Sequence, residues 1–355
     1  MKVVRYGESQ TDTYKGQSVR GILIQMYAVA SAVNTELVNT DFQFRNTSVS
    51  LSYYKGGSSK PITILSTTMD VIMKIANYDH APIKAAWAIN VGNPTSYTPP
   101  NPYLLYDGTL QTSGVGTKDI RLIGGKLIFP CDICLEGDDK LDLTVNFAPG
   151  TIVATGQASG SDSYIQFSQV VGKGCGHGLP KYDVLAIQQN QANVNVPIGN
   201  GVEKVYFINT DRNDSTIANS VIQNMSTQSK GKSETLQYNE VLGHRSNQSS
   251  FFWADYHYGD YCLFEHRSHK AQSALASTDL HGASNVNINL NLNVANVTAS
   301  NNYVVSVSIQ QTVEDLQNYI ASRQMRTADT HRIAGTISDK QHADIQMSHR
   351  PFKRK

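Results

Sequence analysis

The chain has 355 residues, of which 30 are Lys or Arg and 29 are Asp or Glu, for a formal net charge of +1. This balance excludes nucleic-acid binding over the whole surface, and no stretch approaches the roughly 18 apolar residues of a membrane span. One hydrophobic core stops growing at about 250 to 300 residues, so we expect two domains. No signal-type apolar run follows Met1 to Arg5, and we expect synthesis in a cytoplasm.

Short apolar or alternating segments separated by turns predict β-strands in the first half of the chain. They are residues 19–29, a run that ends in Phe42-Gln43-Phe44, residues 49–53 and residues 61–65, with a turn at Gly56-Gly57. The stretch 68–76 fits either a helix or a strand. Strands that are interrupted by turns every 8 to 12 residues predict a β-sandwich or a barrel.

The clearest strand lies in the second half, at Val286–Val294, where five apolar residues alternate with four asparagines. A turn-rich connector and a second alternating run, 303–309, follow it, and together they predict a hairpin. Residues 141–147 and 164–168 repeat this order in the first half. The segment 21–26 opens one half and 204–209 opens the other, so we predict an internal repeat of two similar β domains.

A glycine-rich and then Gln/Asn-rich stretch, residues 172–197, predicts the connection between the two domains. The resulting division is an N-terminal segment over 1–18, a first domain over 19–180, a second domain over 181–320 and a basic C-terminal tail over 321–355. Helical spacing of apolar residues in 313–325 predicts a closing helix, with a continuation of the last strand as the alternative.

The chain ends in a basic cluster formed by Arg350, Lys353, Arg354 and Lys355. A solvated and partly disordered tail is one interpretation, since short charge-rich ends commonly behave in this way. The other interpretation is contact with anionic lipid or nucleic acid.

Cysteine and glycine patterns give weak signals for a chemical site. Cys131 and Cys134 have the spacing of half a zinc motif, but a second pair is missing unless Cys175 and His177 supply it, so we predict inert, reduced thiols. The loop 172–178 lacks the Lys followed by Ser or Thr that a phosphate-binding loop requires, and a flexible interdomain loop is the better interpretation.

Two groups of ionisable residues are candidates for binding an ion. The first is the span His244 to His281, which holds five histidines and several carboxylates but no recognised metal-ligand spacing. The second is Asp138 and Asp139, with Glu136 and Asp142, whose order does not match a calcium loop and favours a solvated turn. No catalytic motif stands out. We therefore predict no enzyme activity, no cofactor and no metal.

The organisation of residues 16 to 312 resembles the double jelly-roll major capsid proteins of tailless, membrane-containing icosahedral phages, the lineage of tectivirus-like and corticovirus-like phages and adenovirus. The resemblance rests on the strand 21–29, a polar turn that leads to Asp41-Phe42, the strand 48–54, two similar halves, and a closing hairpin before a short tail. It implies an all-β fold of two tandem eight-stranded jelly-roll β-sandwiches with few short helices. The helical arm that some members carry at the N-terminus is not evident in Met1–Gln17.

The same resemblance implies a structural role in a virion. Members of the family form pseudo-hexagonal homotrimers that tile an icosahedral shell, so the implied partners are neighbouring trimers, vertex (penton) proteins and minor capsid proteins. An internal membrane would lie under the shell, in contact with the basic tail, and the protein would be made in the host cytoplasm. The alternative is a trimeric host-attachment spike or a carbohydrate-binding β-sandwich, with Trp87, Trp253 and the tyrosine-rich region 97–106 as its surface.

Overall fold

The structure is a computed structural model that describes residues 1–38, 41–80, 109–174, 178–198, 202–209, 221–229, 232–237, 261–265, 286–297 and 302–310. Within these ranges the chain forms seventeen β-strands and one α-helix. No helix in these ranges is long and apolar enough to cross a membrane.

The first nine strands and the helix form one unit. The elements are β1 (Lys2–Arg5), β2 (Ser9–Lys15), β3 (Ser18–Val29), β4 (Thr47–Tyr54), β5 (Ile62–Thr68), α1 (Met69–His80), β6 (Thr109–Gln111), β7 (Ile120–Cys134), β8 (Lys140–Phe147) and β9 (Tyr164–Val171). They pair into two sheets with the orders β1-β9-β3-β7-β6 and β2-β8-β4-β5. A 3-10 turn at Phe44–Asn46 precedes β4, where the sequence predicts the end of a strand.

The other eight strands form a second unit with the same topology. They are β10 (Leu179–Ala186), β11 (Asn193–Ile198), β12 (Val202–Asn209), β13 (Ile222–Ser229), β14 (Lys232–Gln237), β15 (Tyr261–Glu265), β16 (Val286–Leu292) and β17 (Asn302–Gln310). Their sheets have the orders β10-β17-β12-β15 and β11-β16-β13-β14. Apart from the short β6, each strand has a counterpart in the first unit.

This repeated order of two four-stranded antiparallel sheets is that of a jelly roll. The predicted fold class, two tandem eight-stranded jelly rolls with few helices, is therefore confirmed. The alternation seen in the sequence sets the layers, since Leu141, Leu143, Val145 and Phe147 of β8 are all fully buried while their neighbours face outward. In β16 the outward Asn291 donates a hydrogen bond from Nδ2 to Oδ1 of Asn224, at 2.6 Å.

Three expectations about connectivity are corrected by the strand pairing. The predicted hairpins do not form, because β8 and β9, like β16 and β17, lie in different sheets and pair with other strands. The segments 21–26 and 204–209 are equivalent, as predicted, but each is the third strand of its jelly roll. Two strands, β1 and β2, lie inside the stretch that the sequence assigns to an N-terminal segment, and both pair with strands of the first jelly roll.

The connection between the jelly rolls is also shorter than predicted. Residues 179–197, which the sequence assigns to a linker, contain β10 and all but the last residue of β11. The chain passes from β9 to β10 between Val171 and Leu179, and the predicted boundary between residues 180 and 181 falls two residues inside β10. A β-strand is hard to recognise in a Gln/Asn-rich segment. When one side of a sheet faces solvent, every second residue of the strand is polar, and such a strand can resemble a polar linker.

Candidate functional site: the junction of the two jelly rolls

The two jelly rolls share a continuous hydrophobic core. Tyr182, Tyr206, Ile208, Tyr303, Val305 and Val307 lie on the outer face of the sheet β10-β17-β12-β15 and belong to the same buried cluster as the core of the first jelly roll. The alternate residues Val205, Phe207 and Val304 face the separate core of the second jelly roll. This sheet is consequently buried on both faces.

Helix α1 fills the space between the first jelly roll and this sheet. Its first two turns are buried on every side, which is the pattern of a helix in a core rather than on a surface. It contacts β4, β5 and β7 of the first jelly roll and β12 of the second. Gly125 of β7 permits the approach, because a Cβ at that position would lie 3.1 Å from the Ala76 side chain. This packing explains why residues 69–76, which the sequence leaves open between helix and strand, form a helix directly after β5.

Aromatic side chains and a small cavity mark the seam between the jelly rolls. The rings of Phe129 and Tyr182, one from each jelly roll, have centroids 6.2 Å apart. Next to them is a cavity of about 260 Å³. Its lining comes from α1, β7, β10, β12 and β17 and consists of Ile75, Ile128, Phe129, Pro130, Tyr182, Lys204, Tyr206 and Val307.

A buried carboxyl group lies at the start of α1. Asp70 accepts hydrogen bonds from the Thr68 hydroxyl and, at 2.9 Å, from the Val71 backbone N–H. Burial raises the pKa of the Asp70 carboxyl, an effect that these hydrogen bonds and the nearby Arg45 oppose. Burial and the Asp70 charge also raise the pKa of Tyr303, which belongs to the second jelly roll. Asp70 and Tyr303 are therefore titratable side chains that lie in the interior of the fold.

The candidate calcium loop is a structural turn with one buried carboxylate. Asp139 is only 7% exposed, and it accepts hydrogen bonds from the Tyr53 hydroxyl at 2.7 Å and the Gly56 backbone N–H at 2.6 Å. Asp142 instead binds Lys140, at 3.1 Å. The expectation of a wholly solvated turn is therefore wrong for Asp139, which joins two neighbouring turns, whereas Asp138 is exposed. Among the described residues no group of three or more His, Cys, Asp or Glu side chains could hold a metal.

At the opposite end of the first jelly roll, two buried carboxylates fix the loops. Asp41 accepts hydrogen bonds from the backbone N–H groups of Val38 (2.7 Å) and Gln157 (2.9 Å). Asp119 accepts them from the Leu37 N–H (2.8 Å) and from Arg121 (2.9 Å). Such bonds satisfy loop backbone groups that no strand can pair. The long loops at this end are thus held in defined positions.

The cysteines and the glycine loop differ from their predicted roles. Cys134 is disulfide-bonded, which corrects the prediction of reduced thiols for that residue, while the Cys131 thiol donates a hydrogen bond to the Gly178 carbonyl oxygen at 3.5 Å. The start of the loop is held rather than flexible, because the Gly172 N–H donates to the Ser18 carbonyl at 2.8 Å and the Lys173 N–H to Asp132 at 3.1 Å. A Cβ on Gly172 would overlap the Asp132 carboxylate.

Several predicted features lie outside the described residues. They are the tail residues Arg350, Lys353, Arg354 and Lys355, the helix 313–325, Cys175 and His177, the aromatic residues Trp87 and Trp253 with the region 97–106, and the five histidines between His244 and His281. The tail contact and the attachment surface therefore stay predictions.

Sequence reasoning missed the junction, although the sequence carries a signal for it. The runs Val205-Tyr206-Phe207-Ile208 and Tyr303-Val304-Val305 are continuously apolar, and unbroken apolar strands are typical of sheets that are buried on both faces. As an alternating run, 303–309 predicts a strand with one polar side, but its first three residues, Tyr303-Val304-Val305, are all apolar. In the structure these three residues are buried, so both sides of this part of β17 are covered.

Comparison with solved structures supports the fold. The crystal structure of the STIV MCP, a major capsid protein, is similar to this chain with a TM-score of 0.51 and 13% identity, over 86% of this chain and 92% of that one. The atomic structure of Sulfolobus Turreted Icosahedral Virus gives a TM-score of 0.48 at 12% identity, over 97% of each chain. The major capsid protein P2 from Bacteriophage PM2 gives 0.41 at 8% identity, over 87% of this chain and 95% of that one.

At these identities the similarity shows a shared fold and no more. It confirms, at that level, the resemblance to double jelly-roll capsid proteins. No protein-family model matches the sequence, and no curated protein matches it.

Proposed function

We propose that this protein is the major capsid protein of an icosahedral virus and acts as a homotrimeric building block of the shell. The observation that carries the proposal is the pair of jelly rolls with one strand order, side by side in one chain and joined by a common core. Three such chains supply six nearly equivalent barrels. A ring of six barrels fits a hexagonal lattice, and repeated contacts between rings build a closed surface.

The positions of the connector and of the last described residue support an upright arrangement of the barrels. Ser18 and Val171 lie at one end of the first jelly roll, as the pairing of β3 with β9 requires. Leu179 and Gln310 are register partners at the adjoining end of the second jelly roll. The connector and the last described residue thus share one end, and the loops fixed by Asp41 and Asp119 lie at the other. We assign the first end to the interior of the shell.

The finer elements of the proposal follow from this arrangement. The partners are neighbouring trimers, vertex (penton) proteins and minor capsid proteins, and the protein is located in the virion after synthesis in the host cytoplasm. The basic tail residues Arg350, Lys353, Arg354 and Lys355 contact an internal lipid membrane. The proposed role is structural rather than enzymatic, and the carboxylates at Asp41, Asp119 and Asp139 hold turns and loops.

Light scattering on the purified full-length chain tests the proposal. The expected particle is a stable trimer with three times the chain mass of 39.0 kDa, which electron microscopy should show with a hexagonal outline. A monodisperse monomer that binds glycans would refute the capsid role and favour the attachment alternative.

The tail contact has its own test. Replacing all four tail residues with Gln should weaken binding to liposomes that contain anionic lipid, since each basic residue near such a surface contributes about 1 kcal/mol. A matched control replaces four exposed basic residues that lie away from the connector end of the first jelly roll, Lys2, Arg5, Arg45 and Lys126. Equal binding by both variants would mean that the tail is only a solvated terminus.

A further inference from the structure

The connector between the jelly rolls, residues 172–178, is held against the ends of β3 and β7. The Ser18 hydroxyl of β3 donates a hydrogen bond to the Gly174 carbonyl oxygen. On the far side of the connector, the Gly178 carbonyl oxygen accepts a hydrogen bond from the Cys131 thiol of β7, at 3.5 Å. Side chains of the first jelly roll therefore bind the chain on both sides of the three residues that separate these two glycines.

A disulfide bond lies at the same place. The chain has four cysteines, and Cys134, the last residue of β7, is disulfide-bonded. The Cys131 side chain is a thiol, so the partner of Cys134 is either Cys175 or Cys262. Neither of these two side chains is among those that the structure describes. The choice between them follows from the described residues that neighbour each position.

Cys175 directly follows a residue that is bound beside Cys134. Ser18 and Cys134 are register partners in the antiparallel pairing of β3 with β7, which holds two Cα atoms about 4.5 to 5.5 Å apart. The Gly174 carbonyl group that Ser18 binds is joined to the Cys175 nitrogen, and consecutive Cα atoms are about 3.8 Å apart. A disulfide needs Cα atoms about 4.4 to 6.8 Å apart. A bond between Cys134 and Cys175 fits these separations.

Cys262 lies much farther from the connector. It is the register partner of Tyr206, and the same row runs through Val305 to Val184 of β10. This row crosses β10 about 16 Å from the connector, and β15 lies three strands to the side of β10, a further distance of about 14 Å. Cys262 is therefore roughly 20 Å from the start of β10, about three times the separation that a disulfide allows. A bond to Cys134 does not fit this position.

We propose that Cys134 and Cys175 form a disulfide that joins the connector to β7 and makes the junction of the two jelly rolls sensitive to redox conditions. A small disulfide such as oxidised glutathione is the oxidant. The two thiols give up two protons and two electrons to form one S–S bond, and the oxidant leaves as two thiols. Cytoplasmic thiols are kept reduced, so the bond forms when the protein meets an oxidising environment. The inference does not depend on the capsid role.

The bond closes a loop that contains β8 and β9 and ends just before the second jelly roll. Closing a loop lowers the conformational entropy of the unfolded chain, so the folded state loses this stabilisation when the bond is reduced. For a loop of about 40 residues in a chain of 355, reduction should lower the Tm by up to about 5 °C.

Peptide mapping of the wild-type, full-length protein tests the assignment without any variant. The protein is treated with oxidised glutathione, its remaining thiols are alkylated in denaturant, and the unreduced chain is digested and analysed by mass spectrometry. The expected product is one linked pair of peptides that contains Cys134 and Cys175 and separates on reduction. A link between Cys134 and Cys262, or an alkylated Cys134, would overturn the assignment.

Thermal unfolding with and without dithiothreitol tests the redox sensitivity. The reductant should lower the Tm of the wild type, and hydrogen exchange in β10 should become several-fold faster. Cys175→Ser should not respond, because it has no bond to lose, whereas the matched control Cys262→Ser should respond as the wild type does. A wild type whose Tm and exchange are the same with and without reductant would overturn the role of the bond, and this measurement holds even where a variant fails to fold.

Discussion

Two adjacent valines of β17 provide a matched test of the shared core. Val304 is 2% exposed and faces the core of the second jelly roll, whereas Val305 is fully buried against the first jelly roll. The substitutions Val304→Ala and Val305→Ala remove the same two methyl groups from opposite sides of one strand. If the junction is as tightly packed as a domain core, both substitutions should destabilise the protein by similar amounts.

The expected magnitude follows from the burial of both side chains. Each methyl group contributes about 0.8 kcal/mol on burial, so two contribute about 1.6 kcal/mol. The unfilled space adds a cavity term, which brings the loss to about 2 to 3 kcal/mol. With an unfolding entropy of about 2.1 cal/mol/K per residue, a loss of 2 kcal/mol lowers the Tm of a 355-residue chain by roughly 3 °C.

Urea unfolding at one fixed protomer concentration measures the two losses, since assembly makes stability depend on concentration. Hydrogen exchange then locates each effect. Val305→Ala should speed exchange in α1 and β7 of the first jelly roll, and Val304→Ala should not.

The measured loss for Val305→Ala decides whether the two jelly rolls share a continuous core. A loss within about 0.5 kcal/mol of zero is typical of surface substitutions. Such a value for Val305→Ala, alongside a full loss for Val304→Ala, would refute a continuous core and indicate two jelly rolls in loose contact.

Three further predictions concern other parts of the fold. Because burial raises the pKa of Asp70, folding disfavours the charged carboxylate, and the free energy of unfolding falls as pH rises through the raised pKa. Asp70→Asn should therefore be more stable than wild type at pH 7. The difference in Tm between the two should vanish below the ordinary aspartate pKa of about 3.9. A persistent difference at low pH would contradict this cause. Gly124→Ala should cost at least about 2 kcal/mol in urea unfolding, because its Cβ would overlap the Ile24 carbonyl oxygen, and a neutral result would disprove the close approach of β3 and β7. One disulfide uses two of the four cysteines, so alkylation of unfolded, unreduced protein should modify two thiols and leave Cys134 unmodified; four modified thiols would show that the bond is absent.

Local patterning predicted the strands of this protein well. The alternation in 141–147 and 286–294 identified β8 and β16, and the glycines at 56–57 marked the turn between β4 and β5, where both have positive φ. These features depend on neighbouring residues in the sequence, since a strand that is buried on one face needs apolar residues at every second position. The repeat of the last two strands likewise predicted two similar domains.

Strand pairing was beyond the reach of the same patterns. An alternating run shows that one face of a strand is buried but not which strand lies beside it, and β16 and β17 were predicted as a hairpin for this reason. In a jelly roll many consecutive strands lie in opposite sheets, and here β17 pairs with β10 and β12 instead of with β16. The roles of β1, β2, β10 and β11 were missed because β1 is short, β2 is largely polar, and β10 and β11 lie in the stretch whose Gly, Gln and Asn content predicts a linker.

The sequence by itself determined the β class, the duplication and the absence of a recognised catalytic motif, since composition and periodicity are local properties. The tertiary structure decided the arrangement that makes the chain a candidate shell subunit. The placement of α1, the burial of β17 on both faces and the position of Asp139 between two turns each depend on contacts between residues that are far apart in the chain. Packing of the two jelly rolls against each other, rather than any short motif, is the property that distinguishes this protein from a single β-sandwich.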